Sequence, residues 1–132
     1  NKWVLMGRIK MNETYPMRGW FMAVWLFIFN HVSSLDSTYL HLFSNTPVFS
    51  WMYRMLGAKV GKNCRINHLG APDYDCLDLG NDVLLSGVSI YSHNFGSMGL
   101  QFKPIVIEDH CRFFGYSTIL SNTTFKARTI IG

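Results

Sequence analysis

His93 is the residue of this sequence that is best placed for acid–base chemistry. It lies in the stretch Ser89-Ile-Tyr-Ser-His-Asn94, directly before an irregular loop. A neutral imidazole at the start of a loop can accept a proton from a hydroxyl or an amine. Asp73 and Asp75 lie in a second loop, where a carboxylate can bind an amine or orient a histidine base and stabilise the imidazolium that forms. The alternative interpretations are a loop histidine without a role and a solvated pair of carboxylates.

The remaining histidines do not favour a zinc centre. A β-helical zinc enzyme of the carbonic anhydrase kind needs three converging imidazoles. Met98 stands five residues after His93, so the pair of histidines that such a site requires on one strand is missing. His68 and His110 fall at predicted turns, where we expect them to be solvated. We therefore predict no bound metal.

The three cysteines form no CxxC pair, and their odd count predicts neither a disulfide framework nor a cysteine zinc site. A reducing compartment fits this usage. Cys64 and Cys111 fall where we expect small core side chains.

A repeat of six residues positions His93. The first position of each hexad is apolar in ten of twelve cases, after a slip of one residue before Asp73 and an insertion of four before Gln101. Three short strands with their turns make one triangular coil, whose narrow interior takes a large side chain from the first position and a small one from the fifth. The pattern predicts a mainly β fold, a parallel β-helix of about four coils, with His93 at a coil edge. The first positions are Val60, Ile66, Asp73, Leu79, Leu85, Tyr91, Gln101, Ile107, Phe113, Ile119, Phe125 and Ile131.

The first part of the chain has a helical pattern instead. Trp20 to Phe29 is an unbroken apolar run of ten residues, about half of what a bilayer crossing needs. These helices are either an interfacial membrane element or a surface that packs on a partner domain, and both interpretations stay open. A second helix face is predicted at Leu35, Tyr39, Leu42 and Phe43. A further helix is predicted to begin at Thr46-Pro47 and to end at Gly57, with an apolar stripe of Val48, Trp51, Met52 and Met55.

Composition and charge narrow the partners. Hydrophobic residues make up 48% and charged residues 15% of the 132 residues, which is apolar for a soluble domain. The net charge of +4 includes no run of Lys or Arg, which argues against nucleic acid and favours a weak attraction to anionic lipid. The length suits one structural unit with an appendage, so we divide the chain into an apolar helical, membrane-associated segment over 1–57 and a β-helix over 58–132. Because the sequence begins without Met and stops within the repeat, we expect it to be a fragment, truncated at its C-terminus.

Two stretches resemble known families. The stretch Ser89 to Asn94, the loop after it, and Lys103-Pro-Ile-Val-Ile-Glu-Asp109 with the following hexads resemble the hexapeptide-repeat acetyltransferases, which include maltose and galactoside acetyltransferases. The segment Asn45-Thr-Pro-Val-Phe-Ser-Trp-Met-Tyr-Arg-Met-Leu-Gly-Ala-Lys-Val-Gly61 is more narrowly similar to the hexapeptide regions of membrane-bound, nonribosomal-peptide-synthetase-like proteins such as poly-lysine synthetases. The resemblance covers roughly the C-terminal two-thirds of the chain. It implies a left-handed parallel β-helix preceded by short α-helices.

The resemblance also implies an acyltransferase in which His93 is the catalytic general base. An acyl group would pass from coenzyme A, or from the pantetheine thioester of a carrier protein, to a hydroxyl or an amine. We expect substrate contacts at Asp73, Asp75 and Asn94. We expect contacts to the pantetheine arm at Phe114, Gly115 and Ser117.

The alternative function is a noncatalytic trimerisation or scaffold domain of a membrane-bound, synthetase-like protein. It stays open because Phe113-Phe114-Gly115 replaces the Trp-Ile-Gly of the acetyltransferases and Ser121-Asn122 replaces their Pro-Gly turn. In either case we expect a homotrimer, or a pseudotrimer with sister repeats, since the flat walls of triangular coils pack on one another. We expect a membrane surface as a further partner, with the active site facing the cytoplasm.

Overall fold

The computed structural model describes residue 4 and residues 6–67 and 73–132. Within these residues the chain has two α-helices, two 3₁₀ helices and thirteen short strands, so the fold is mixed and has a large share of sheet. His68 lies outside the described residues. The helices are α1 (Trp20–Thr38) and α2 (Pro47–Met55), with 3₁₀ helices at Leu40–Phe43 and Tyr74–Cys76. The strands are β1 (Thr14–Tyr15), β2 (Lys59–Val60), β3 (Arg65–Ile66), β4 (Leu77–Leu79), β5 (Leu84–Leu85), β6 (Ser89–Tyr91), β7 (His93–Gly96), β8 (Gly99–Phe102), β9 (Ile105–Ile107), β10 (Arg112–Phe113), β11 (Thr118–Leu120), β12 (Thr123–Phe125) and β13 (Ile130–Ile131).

The chain visits three parallel sheets in a fixed rotation. The first sheet has the order β12-β9-β4-β2, the second β13-β10-β5-β3, and the third pairs β11 with β6. From β4 onward the chain passes through the first, second and third sheets in turn: β4, β5 and β6, then β9, β10 and β11, and finally β12 and β13 in the first two sheets. An antiparallel sheet, β1-β8-β7, interrupts the rotation between β6 and β9. Each strand thus bonds to a strand many residues away, which makes the stacked sheets mutually dependent.

The inward side chains of the sheets follow the predicted hexads for most of the chain. Branched and aromatic residues alternate with exposed ones along the short strands, as expected when one face of a sheet is buried. Among the first-position residues that meet in one core cluster are Ile107, Phe113, Ile119 and Phe125. Cys64 and Cys111 are buried in the same cluster, as predicted.

The predicted hexad position is wrong at Tyr91. Its side chain is exposed, because Ile90 takes the buried place and pairs in register with Ile119 of the next strand. The turn before β6 is one residue shorter than the equivalent turn before β11, since Leu85 is aligned with Phe113. A shift of one residue moves a strand's side chains to the opposite face.

The predicted hexad position at Gln101 is also wrong. Gln101 lies in the antiparallel hairpin of β7 and β8. Parallel pairing aligns Ile90 with Ile119 and Ile107 with Phe125. The chain between Ile90 and Ile107 is therefore much longer than the chain between Ile119 and Phe125, and the insertion is a complete hairpin rather than four residues.

Helix α1 packs on this hairpin through large side chains. Met22 and Trp25 are buried and Phe29 is half-buried. They are three and four residues apart, so they share one helix face. With Leu100 and Phe102 of β8 they form a second core cluster.

The helical part of the chain differs from the prediction after α1. The helix ends at Thr38, and the separate 3₁₀ helix Leu40–Phe43 follows, so the predicted face does not run along one continuous helix. No helix among the described residues is both long enough and apolar enough to cross a membrane.

Helix α2 begins at Pro47, as predicted, because proline fits the first turn of a helix. Phe49 and Tyr53 are its buried side chains in the core cluster of the parallel sheets. Of the predicted stripe, Met52 packs against this cluster, whereas Val48, Trp51 and Met55 are exposed, so the stripe was wrong at those three positions. Its apolar outer face is therefore available to a surface outside this chain.

Candidate active site

His93 stands where the third sheet ends and the hairpin begins. Ser92, which is buried, separates the last residue of β6 from His93, the first residue of β7. The backbone N–H of Lys103 donates to the carbonyl of Ser92 at 3.0 Å and closes the base of the hairpin. The backbone on both sides of His93 is therefore fixed by strand pairing, and a side chain on such a support keeps its orientation.

Asp73 holds the imidazole of His93. Its Oδ2 lies 3.2 Å from Nδ1 of His93 and accepts the backbone N–H of Ser92 at 3.0 Å. The side chains of His93 and Asp73 are 10% and 2% exposed. A carboxylate accepts hydrogen bonds, so this contact favours the hydrogen on Nδ1, and in a neutral imidazole that tautomer leaves the lone pair on Nε2. A carboxylate in such a contact can orient an imidazole and stabilise its protonated form.

Aromatic rings surround the imidazole. The ring centroids of Trp25, Tyr91 and Phe95 lie 4.8, 5.7 and 5.7 Å from that of His93, with the planes close to perpendicular. Trp25 also stacks on Phe29, one turn further along α1, with centroids 5.5 Å apart. Of these rings Trp25 is buried, whereas Tyr91 and Phe95 are exposed. The side chain of His93 is only 10% exposed, so its hydrogen bonds are weakly screened by solvent.

Two buried polar atoms next to His93 are without a hydrogen-bond partner among the described residues. They are Nε1 of Trp25, a donor, and Oδ1 of Asp73, an acceptor. An unsatisfied buried polar group costs about 1–3 kcal/mol. A ligand that reached Trp25 and Asp73 could accept a hydrogen bond from the first and donate one to the second.

The chain is similar to a peptide synthetase. It aligns over 137 residues with Delta-poly-L-ornithine synthetase of Acinetobacter baumannii (strain AB307-0294), at 29% identity and with 99% of this chain covered. The alignment covers 10% of that protein, so the chain spans about a tenth of the length of the curated relative it matches. The similarity supports a relationship with peptide synthetases. No family model matches the chain. No solved structure matches it either.

The predicted substrate residues are placed differently from one another. Asp73 contacts His93 directly. Oδ2 of Asp75 accepts the backbone N–H of Ile9 at 2.9 Å and ties the N-terminal segment to the 3₁₀ helix before β4. Asn94 is exposed on β7, opposite Gln101 of the hairpin.

The predicted pantetheine residues form one exposed turn at the other end of the third sheet. Phe114 and Gly115 are exposed, and the hydroxyl of Ser117 donates to the carbonyl of Phe114 at 3.1 Å. Gly115 has a φ of 71°, and a Cβ there would meet nothing within 4 Å, so space is open beside the turn. The turn precedes β11, whereas His93 follows β6, its partner strand. The structure therefore separates these residues from His93 by the length of a short strand, about 10 Å.

The cysteines are not exposed nucleophiles. All three are buried as free thiols. Burial raises the pKa of the Cys64 thiol, and its Sγ donates to the carbonyl of Gly80 at 3.0 Å. A thiol in such surroundings is unreactive because the thiolate is the nucleophile.

Sequence reasoning missed Trp25 as a neighbour of His93. Trp25 lies inside the apolar run from Trp20 to Phe29, where every position is apolar and no single face is distinguished. The spacing of Met22, Trp25 and Phe29 was the available signal, since it places three large side chains on one face.

Proposed function

We propose that the chain is an acyltransferase-like domain of a peptide-synthetase-like protein. His93 would act as the general base and Asp73 as the residue that orients it. The observation that carries the proposal is the contact between Nδ1 of His93 and Oδ2 of Asp73 at 3.2 Å, between side chains that are 10% and 2% exposed. The similarity to a poly-ornithine synthetase supports an amine as the first acceptor to test.

In the proposed reaction, Nε2 of His93 removes the proton from an amine or a hydroxyl while that group attacks the carbonyl carbon of a thioester. The new C–N or C–O bond gives a tetrahedral intermediate. Its collapse breaks the C–S bond, and the leaving thiolate takes the proton back from Nε2. Asp73 keeps the imidazole in the tautomer with a free Nε2 and stabilises the imidazolium formed midway. The step needs no oxidant and no metal.

The donor would be coenzyme A or a carrier-bound pantetheine thioester. An extended arm that passes the open turn at Phe114, Gly115 and Ser117 and follows the edge of the third sheet would bring its thioester toward His93. The exposed side chains of Tyr91 and Leu120, which occupy aligned positions on β6 and β11, would form an apolar wall along that path.

The test uses His93→Ala with His110→Ala as the matched control. His110 is an exposed histidine whose Nδ1 lies 3.6 Å from Oδ2 of Asp82. Transfer from acetyl-coenzyme A, or from an acyl-loaded carrier protein, to ornithine is followed by mass spectrometry of the amide product. We expect His93→Ala to lower the rate by at least about a hundredfold and His110→Ala to leave it unchanged. Equal rates in the two variants would remove His93 from the mechanism.

We also propose that the three parallel sheets are the faces of a left-handed parallel β-helix of about four coils. The fixed rotation of the strands and the four-stranded first and second sheets support this arrangement. A crystal structure in which the strands turn with the opposite hand, or in which one side of the coil stays open, would refute it.

A scaffold role is the second candidate, and the exposed apolar side chains of the third sheet favour it. Tyr91, Leu120 and Tyr116 are exposed on or next to β6 and β11. Large exposed apolar surfaces in a folded chain are commonly interfaces, and we propose a trimer or a pseudotrimer with sister repeats. Sedimentation equilibrium would give three times the chain mass for a trimer. A scaffold without catalysis would bind neither coenzyme A nor a loaded carrier.

The N-terminal helices are proposed to rest on a membrane surface. Trp20 and Phe27 of α1 and Trp51 of α2 are exposed, as amphipathic helices that lie in a membrane interface require. Flotation with liposomes of anionic lipid tests this, and a chain that stays in the aqueous fraction would refute it. The orientation toward the cytoplasm depends on this attachment.

A further inference from the structure

A cavity of about 580 Å³ opens on the outer side of the second sheet, apart from the residues of the candidate active site. Arg65 of β3, Leu84 of β5 and Arg112 of β10 line it, together with Asn45 and Asn63. His93 and Asp73 do not line it.

The strand register brings the two arginines to one place. Arg65 pairs in parallel with Leu84, and Leu84 pairs with Arg112 on its other side. The residues that follow the arginines, Ile66 and Phe113, are buried, so both arginine side chains leave the outer face of the sheet. Their Cα atoms are two strand spacings apart, about 9.5 Å. At that distance the two long side chains, one on each side of Leu84, can both contact the same ligand.

Neither guanidinium has a hydrogen-bond or ion-pair partner among the residues that the structure describes. Arg54 differs, because its guanidinium donates to the carbonyls of Val60 and Gly61 at 3.0 and 2.6 Å. The carboxylate that lines the cavity, Asp82, lies 3.6 Å from Nδ1 of His110. The donors of Arg65 and Arg112 are therefore open to a ligand.

We propose that Arg65 and Arg112 form a binding site for a phosphate monoester or a diphosphate. A guanidinium is planar, always charged and able to donate two parallel hydrogen bonds to the oxygens of one phosphate. Two such groups about 9.5 Å apart at their Cα atoms match a diphosphate, or one phosphate held from both sides. The phosphate belongs either to a soluble ligand or to the headgroup of an anionic phospholipid. The site does not depend on His93 as a base.

Titration calorimetry with inorganic pyrophosphate and with inorganic phosphate tests the site on the whole chain. We expect Arg65→Gln and Arg112→Gln each to weaken pyrophosphate binding at least about tenfold, which is the loss of one charge-assisted hydrogen bond. The double variant should lose it. The control is Arg18→Gln combined with Lys126→Gln, which removes two exposed positive charges outside the cavity and should bind as the unmodified chain does. Equal pyrophosphate affinity in the two double variants would overturn the proposal, as would an unmodified chain that binds no pyrophosphate.

Vesicles distinguish the two sources of phosphate. If vesicles of phosphatidylglycerol bind the chain through this site, pyrophosphate should release it and the Arg65→Gln, Arg112→Gln variant should not float with them. If that variant floats as the unmodified chain does while pyrophosphate binding still needs both arginines, the ligand is a soluble phosphate. Both results support the site. The proposal is overturned if the two double variants, which each remove two positive charges, lose the same pyrophosphate affinity.

Discussion

Asp73→Asn separates an orienting carboxylate from a structural one. Oδ2 of Asp73 accepts from the backbone N–H of Ser92 at 3.0 Å and lies 3.2 Å from Nδ1 of His93. Asparagine keeps the shape and can still accept from Ser92. It is neutral, however, and its amide can also turn its N–H toward the imidazole, so the tautomer with a free Nε2 is no longer enforced.

The free energy of unfolding should change little in this variant. Two charge-assisted hydrogen bonds of about 1.5–3 kcal/mol each become neutral bonds of about 0.5–1.5 kcal/mol. The loss is opposed because a carboxylate that is 2% exposed, with one oxygen lacking a partner among the described residues, no longer has to be desolvated. That cost is itself several kcal/mol. We expect a net change within about 2 kcal/mol of zero.

The transfer rate should fall by about 10²–10⁴-fold in the same variant. The rate is measured with acetyl-coenzyme A and a loaded carrier, and stability by urea unfolding. Asp78→Asn is the matched control, since Asp78 is a half-buried carboxylate on the side of β4 opposite to the core. A rate within about tenfold of the unmodified chain would refute the orienting role. A loss of stability of more than about 4 kcal/mol would make Asp73 a structural residue instead.

Three further substitutions test the fold. Gly80→Ala should destabilise the chain by about 1–3 kcal/mol, because the new Cβ would lie 2.8 and 2.9 Å from backbone atoms of the turn after β9. Gly96→Ala is the control, since a Cβ there would meet its nearest atom at 3.7 Å. Equal urea midpoints for the two variants would contradict this packing. Phe113→Ala should lower the free energy of unfolding by about 3–5 kcal/mol and Phe114→Ala by much less, since Phe113 is buried and Phe114 exposed. If Phe114→Ala lowered the melting temperature more than Phe113→Ala, β10 would have the opposite face buried. Burial raises the pKa of the Cys64 thiol, so its contribution to stability is full below the unfolded pKa of about 8.5 and is lost as the pH rises through the higher folded value. Cys64→Ala should therefore flatten the fall of the urea midpoint at alkaline pH, and an unchanged slope would mean that the thiol does not contribute.

The hexad pattern predicts the core correctly where only one large apolar residue in a strand can be the buried one. Phe113 and Ile119 are buried as the spacing requires, because a narrow space between sheets accepts one large side chain at each level. The pattern cannot choose between Ile90 and Tyr91, because both are apolar and adjacent, and a turn shortened by one residue decides which is buried. The residue types alone do not show that the turn before β6 is shorter than the turn before β11, because this difference appears only when β6 is paired with β11.

The hairpin and the role of α1 were outside the reach of sequence reasoning for a different reason. Trp25 is far from His93 in sequence, and its position depends on how α1 packs on Leu100 and Phe102 of a hairpin that the six-residue repeat does not contain. An apolar run without a polar face gives no direction to a helix. The pairing of Asp73 with His93 was within reach, since orienting the imidazole was one of the two roles suggested for Asp73 and Asp75, beside that of a solvated pair.

The candidate site holds buried polar atoms that lack a hydrogen-bond partner among the described residues. Along the parallel sheets the turns are bonded to their neighbours, as at Gly80, whose N–H donates to the carbonyl of Ile107 at 2.8 Å. At His93 the two residues that hold the ring each keep one buried polar atom without a partner among the described residues, a donor on Trp25 and an acceptor on Asp73. Chains retain such costs where a bound molecule repays them, and violations of hydrogen-bond satisfaction concentrate at functional sites. The open donor and acceptor are therefore a stronger reason to look for a substrate at His93 than the imidazole alone, because a histidine that only fills space needs neither.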